Sequence, residues 1–135
     1  MPTRYERGRA RQAELGGAGE LRQRVYDSLA DIAPDLPRLA VEFAYGDIHA
    51  RPGLDAGRRE LVILGVLIGL GGQEAQIEAH VGSALGAGVQ PLEIVETITQ
   101  AVPYAGFPRA LAAMSIARQV LDARGLLPVP SLTKE

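Results

Sequence analysis

Apolar residues recur along this chain at intervals of three and four, the spacing that gathers them on one side of an α-helix. Leu21, Val25 and Leu29 predict a helix over residues 20–32 that ends before Pro34, and Leu36, Leu39, Ala40 and Phe43 begin a second that runs to Ile48. Pro52 and Gly53 turn the chain, and Asp55 stands where it can cap a third helix whose body, 60–70, is apolar on nearly every side. Gly69, Gly71 and Gly72 stop it. A fourth helix covers 73–85 and ends at Gly86 and Gly88, and Pro91 opens a fifth carrying Ile94, Ile98 and Ala101. After a break over 103–108, Leu111, Met114, Ala117 and Leu121 line a long final helix closed by Gly125. No alternating strand pattern competes, so the expected fold is all-α, a compact bundle of about six helices. Residues 1–19 are expected to be a flexible segment, 20–125 the folded domain, and 126–135 an extended tail that docks on a neighbour.

Composition narrows the picture. Hydrophobic residues make up 47 % of the 135 positions but aromatics only 4 %, so the core must be built from Leu, Ile, Val and Ala. The net charge of −2, with basic residues scattered, gives no footprint for nucleic acid. The absence of cysteine excludes disulfides, zinc–thiolate sites and thiolate nucleophiles, and fits a reducing, cytoplasmic setting. The run 61–70 is about half of what spans a bilayer, so no membrane partner is expected. A helix so uniformly apolar is hard to enclose in one small bundle, and a subunit interface would cover it, so a homo-oligomer is expected. The first residues mix Arg4, Arg7, Arg9 and Arg11 with Glu6 and Glu14, unlike a secretory signal.

Candidate chemistry gathers around His80. At helical spacing it shares a polar stripe with Gln73, Gln76 and Ser83, beside an apolar stripe of Ile77, Val81, Ala84 and Leu85. An imidazole titrates near neutral pH and so carries protons, although a packed, satisfied histidine has the same pattern. Glu60 either serves the dipole of its helix or faces His80 and orients the ring. Arg51, before Pro52, either grips a substrate carboxylate bidentately or caps carbonyls and bridges subunits. His49 is either a further donor or base, or an exposed turn residue. Tyr104 can offer a hydroxyl to a ligand, and Gln73 and Gln76 either bind ligand or form a solvated face. Two isolated histidines without neighbouring ligands do not make a metal site, and Gly69-Leu70-Gly71-Gly72 follows a helix rather than a strand, so no cofactor is expected.

Four segments together resemble the carboxymuconolactone decarboxylase family, which includes the alkylhydroperoxidase D-like proteins. They are Tyr45-Gly46-Asp47-Ile48-His49-Ala50-Arg51-Pro52-Gly53-Leu54, Arg59-Glu60-Leu61-Val62-Ile63-Leu64, Glu78-Ala79-His80-Val81 with Gly88-Val89, and Tyr104-Ala105-Gly106-Phe107-Pro108. The resemblance spans Leu21 to Gly125 and lies nearest the decarboxylase branch. It implies an all-α fold, trimers or hexamers, and cofactor-free conversion of γ-carboxymuconolactone to β-ketoadipate enol-lactone. In the peroxidase branch a glutamate, a cysteine pair and a histidine form a proton relay. Glu60 and His80 match its acid and base, while Gln73 and Gln76 stand where the cysteines would be, so thiol peroxidase activity is excluded. His49, Gln76 and Ala105 depart from the decarboxylase pattern, where an aromatic, an acid and a cysteine are common. The resemblance thus implies a carboxy-lyase with catalytic His80 and Glu60 and a substrate held by Arg51, His49, Gln76, Gln73 and Tyr104. Its alternatives are an isomerase or cyclase acting on a larger enolisable ring, and a non-catalytic oligomeric binding protein.

Overall fold

Gly106, at φ +91°, separates the last two long helices, and the other helices are divided by similar short breaks. The computed structural model describes residues 1–16 and 18–130; Gly17 and 131–135, half of the expected tail, lie outside them. Among the described residues there are seven α-helices and one π-helical segment, and no strand. The helices are α1 (Arg4–Leu15), α2 (Gly19–Ser28), α3 (Asp35–Leu39), α4 (Ala56–Leu70), α5 (Glu74–Gly86), α6 (Pro91–Ala105) and α7 (Phe107–Ala123), with the π-helical segment Ala40–His49 continuing directly from α3.

Helices α4 to α7 form the main core. Leu64 and Ile68 of α4 meet Ile77, Val81 and Ala84 of α5, Ile94 and Ile98 of α6, and Ala110, Ala113 and Ala117 of α7. The alanines on α7 let the helices approach closely, which suits a core with no large aromatic. Local signals act as their chemistry dictates: the Asp55 carboxylate accepts from the Arg58 amide at 2.8 Å, and Gln90 and Glu93 form a capping box ahead of Pro91. Helix α6, however, runs through Pro103 to Ala105, and the break is confined to Gly106, where positive φ favours glycine.

One expectation is revised. The first dozen residues are held, since Thr3 and Glu6 form a capping box that starts α1, and α1 lies across the π-helical segment. Their crossing is backbone on backbone: a Cβ on Gly8 would come 2.0 Å from the Val41 carbonyl oxygen, and one on Gly46 would come 2.3 Å from that of Arg4. At the rim Arg4 pairs with Asp47 through two nitrogens, the shortest contact being 2.6 Å. The periodicity of 1–15 hid this because the buried positions are Gly8, Gln12 and Leu15, only one of them apolar and large. Helix α4, expected to be hard to enclose in one small bundle, is enclosed only in part. Glu60, Leu64 and Ile68 face inward, but Val62, Val66 and Leu70 remain 57, 56 and 63 % exposed in the single chain.

The close crossing generates a test. Gly8→Ala forces apart two backbones that no rotamer change can relieve, so a loss of about 1–3 kcal/mol is expected, together with faster tryptic cleavage within α1. Gly19→Ala, with open space around its Cβ, serves as the control and should leave the melting curve unchanged.

Candidate active site

The π-helical segment delivers His49 to the interior. Its closing hydrogen bond runs from the Ala50 amide to the Tyr45 carbonyl at 2.9 Å, five residues back, so residues four and five apart share one face. Val41, Tyr45, Gly46 and His49 are the buried set. The rings of Tyr45 and His49 stack with centroids 5.6 Å apart and planes 25° from parallel. The periodicity predicts a regular α-helix over 36–48; residues 40–49 are π-helical instead.

Glu60, on the second turn of α4, has no exposed surface. Its Oε1 lies 3.0 Å from Nε2 of His49 and its Oε2 lies 2.7 Å from Nδ1 of His80 on α5. A carboxylate only accepts, so both rings donate to it. Burial pushes the Glu60 carboxyl upward, but the hydrogen bonds from His49 and His80 outweigh it, and the net displacement is below the ordinary value. His49 is 3 % exposed and its Nδ1 is buried without a partner, so a neutral ring there carries its proton on Nε2. His80 differs: with Nδ1 committed to Glu60, Nε2 is the nitrogen left for chemistry. Because Oε1 and Oε2 engage different rings, the three side chains do not converge on a common point, and no group among the described residues has the geometry to hold a metal ion.

His80 and His49 line a cavity of about 400 Å³ between α2, the π-helical segment, α4 and α5. Gln76 stands at its exposed edge, and Ile63, Ala75 and Ala79 supply an apolar wall. The size fits a small ligand. Arg22 of α2 lies over the Tyr45 ring at 5.2 Å and donates to Ser83 Oγ at 3.3 Å. Burial lifts the Tyr45 phenol to about 12, so it stays neutral. A roomier cavity of about 800 Å³ lies between α1, α2 and α3, but it contains neither histidine, and its Arg4, Arg38 and Glu42 are already paired.

Of the residues singled out in the sequence, His80, Glu60, His49 and Gln76 come together. Gln73 does not: it precedes α5 and borders a separate hollow beside Arg109. Arg51 is exposed and contributes its carbonyl to the Arg59 guanidinium at 2.9 Å, and it is absent from the cavity wall. Tyr104 is 87 % exposed on another face, near Leu61 and Gly65. The 3.6-residue repeat explains Gln73, since a helix N-cap position leaves the stripe that its number suggests. The sequence reading passed over Arg22 and Tyr45. Their signal was faint: Arg22 sits three and four residues before Val25 and Tyr26, on the edge of the apolar face of α2.

Residues 34–119 match the carboxymuconolactone decarboxylase family. A 4-carboxymuconolactone decarboxylase from Acinetobacter baylyi is 33 % identical over 125 residues, covering 93 % of this chain and 92 % of that protein. A nitrosuccinic acid decarboxylase from Metarhizium robertsii is 37 % identical over 86 residues, covering 62 % of this chain and 58 % of that protein. An uncharacterised 15.0 kDa protein from Paracoccus denitrificans is 34 % identical over 94 residues, 69 % of this chain and 70 % of that one. The match spans the π-helical segment, Glu60 and His80 alike, and the chain belongs to the carboxymuconolactone decarboxylase family.

Proposed function

We propose that the protein is a cofactor-independent carboxy-lyase acting on a small carboxylated lactone, with His80 as proton carrier and Glu60 as the group that orients it. The observation that carries this reading is the buried Glu60 carboxylate bonded at 2.7 Å to His80 Nδ1, which leaves Nε2 of a cavity-lining ring outside that bond. In the reaction the bond to the departing carboxylate breaks and its electron pair moves into a conjugated carbonyl. Carbon dioxide leaves, and an Nε2–H of protonated His80 adds the proton to carbon. Glu60 stabilises that imidazolium before the transfer, and the neutral ring then takes a new proton from water. His49, 3 % exposed, serves as the second donor that keeps Glu60 ionised and fixed.

The relative from Acinetobacter baylyi is named for 4-carboxymuconolactone, which makes that compound the first substrate to test. A second reading, a proton-shifting isomerase or cyclase, draws on the two histidines that share one carboxylate. It differs in releasing no carbon dioxide. A purely binding protein is less well supported, because the cavity is open and His80 lines it.

Assembly is part of the proposal. Val62, Val66 and Leu70 form one exposed apolar row along α4, and burial against a second copy in a trimer or hexamer would remove it from water.

Three outcomes are expected. With 4-carboxymuconolactone, His80→Ala lowers kcat for carbon dioxide release by about 10²- to 10⁴-fold while the circular dichroism spectrum is kept; full activity in that variant removes His80 from the mechanism. Because the Glu60 carboxyl is displaced below its ordinary value of 4.5, its stabilising contribution is complete above that pH and is lost as pH falls through the lower folded value. Thermal melting should therefore hold through the neutral range and drop in acid, and Glu60→Gln should be less stable at pH 7 by about 3 kcal/mol with a weaker acid dependence. In sedimentation, the protein should run as an oligomer and Val66→Asp as a smaller species.

A further inference from the structure

Among the described residues, Arg22 is the only arginine or lysine in the wall of the histidine cavity. Its contacts are weak ones: a long 3.3 Å hydrogen bond to the neutral Ser83 hydroxyl and the face of Tyr45. No carboxylate pairs with it among the described residues, and Glu60, which holds both histidines, is taken up by them. A half-buried guanidinium without an anion, beside a cavity that would exclude much water once filled, is a site for one. An incoming carboxylate offers a charge-assisted, two-point hydrogen bond in place of the bond to Ser83. Arg51, the arginine that the sequence suggested for this task, does not reach the cavity.

Resting on the carboxy-lyase reading, we propose that Arg22 anchors an anionic group of the substrate that is retained in the product, and so positions the departing carboxylate away from any cation. The physical reason is differential. A guanidinium paired with the departing carboxylate would stabilise the ground state more than a transition state in which that charge moves into the ring, and would slow the reaction. Paired with a group that keeps its charge, it binds both states equally and contributes to KM rather than to kcat. The departing group then lies against the apolar wall of Ile63, Ala75 and Ala79, where its desolvation favours loss, within reach of the proton on His80. Arg22 is on α2, which contributes no buried residue, so changing it does not remove core packing.

The test uses the full chain and two readouts. Binding of glutarate, which cannot react, is measured by calorimetry, and kcat and KM are measured by carbon dioxide release from 4-carboxymuconolactone. Arg22→Gln should weaken glutarate and raise KM by about 10- to 100-fold with kcat nearly kept, and Arg22→Lys should recover part of the affinity. Arg24→Gln, an exposed arginine on another face of α2, should match the parent in both. Absence of glutarate binding in the parent protein, or equal affinity in Arg22→Gln, overturns the anchor. A fall in kcat at unchanged KM overturns its assignment to the retained group. If the lactone releases no carbon dioxide but Arg22→Gln still loses glutarate, the decarboxylase reading fails and the anchor stands.

Discussion

The Glu60 carboxylate, buried without exposed surface, is the constraint on which the rest of this protein depends. An ion of that size cannot remain charged in an apolar interior unless its oxygens are satisfied, and here each oxygen accepts from a different histidine. His49 comes from the outer layer of α1 and the π-helical segment, and His80 from the four-helix core. One carboxylate therefore joins the two layers. The same contacts that make the burial tolerable orient the rings of His49 and His80, so that the stability of the fold and the arrangement of these side chains share a cause.

The unusual backbone follows from this demand. A π-helical turn is poorer in hydrogen-bond geometry than an α-helix and persists only where the surroundings require it. Here it keeps Val41, Tyr45, Gly46 and His49 on one inward face, with Gly46 making room for α1 and Tyr45 stacking on His49. The N-terminal helix is thus part of the support of the site, since its close crossing at Gly8 braces the segment that carries His49.

The cavity is asymmetric in a way that suits acid–base chemistry. One side carries the His80 ring, one side is aliphatic, and the guanidinium of Arg22 comes from a helix without buried residues. Family membership agrees with such a site, since two relatives of this chain are named as decarboxylases of carboxylated small molecules. Gln73 and Gln76, which the sequence places on one polar stripe, part company in space: Gln76 reaches the cavity edge and Gln73 does not.

Much of this was legible from residue order. The helical periodicity, the caps at Asp55 and Pro91, the glycine stops, the lack of cysteine and the Glu60–His80 pairing are local or family-level properties that a sequence carries openly. The chain by itself determined an all-helical bundle without thiols and singled out Glu60 and His80 as candidates. Tertiary structure decided which residues share it. It brought His49 into the interior through a π-helical turn that periodicity reads as ordinary helix, and it placed Arg22 where Arg51 was expected. It also left Tyr104 outside and ordered an N-terminal segment whose contacts are made by glycine backbone. Those outcomes depend on crossings between elements distant in sequence, where a missing Cβ or a single buried charge decides the packing, and neither leaves a periodic trace.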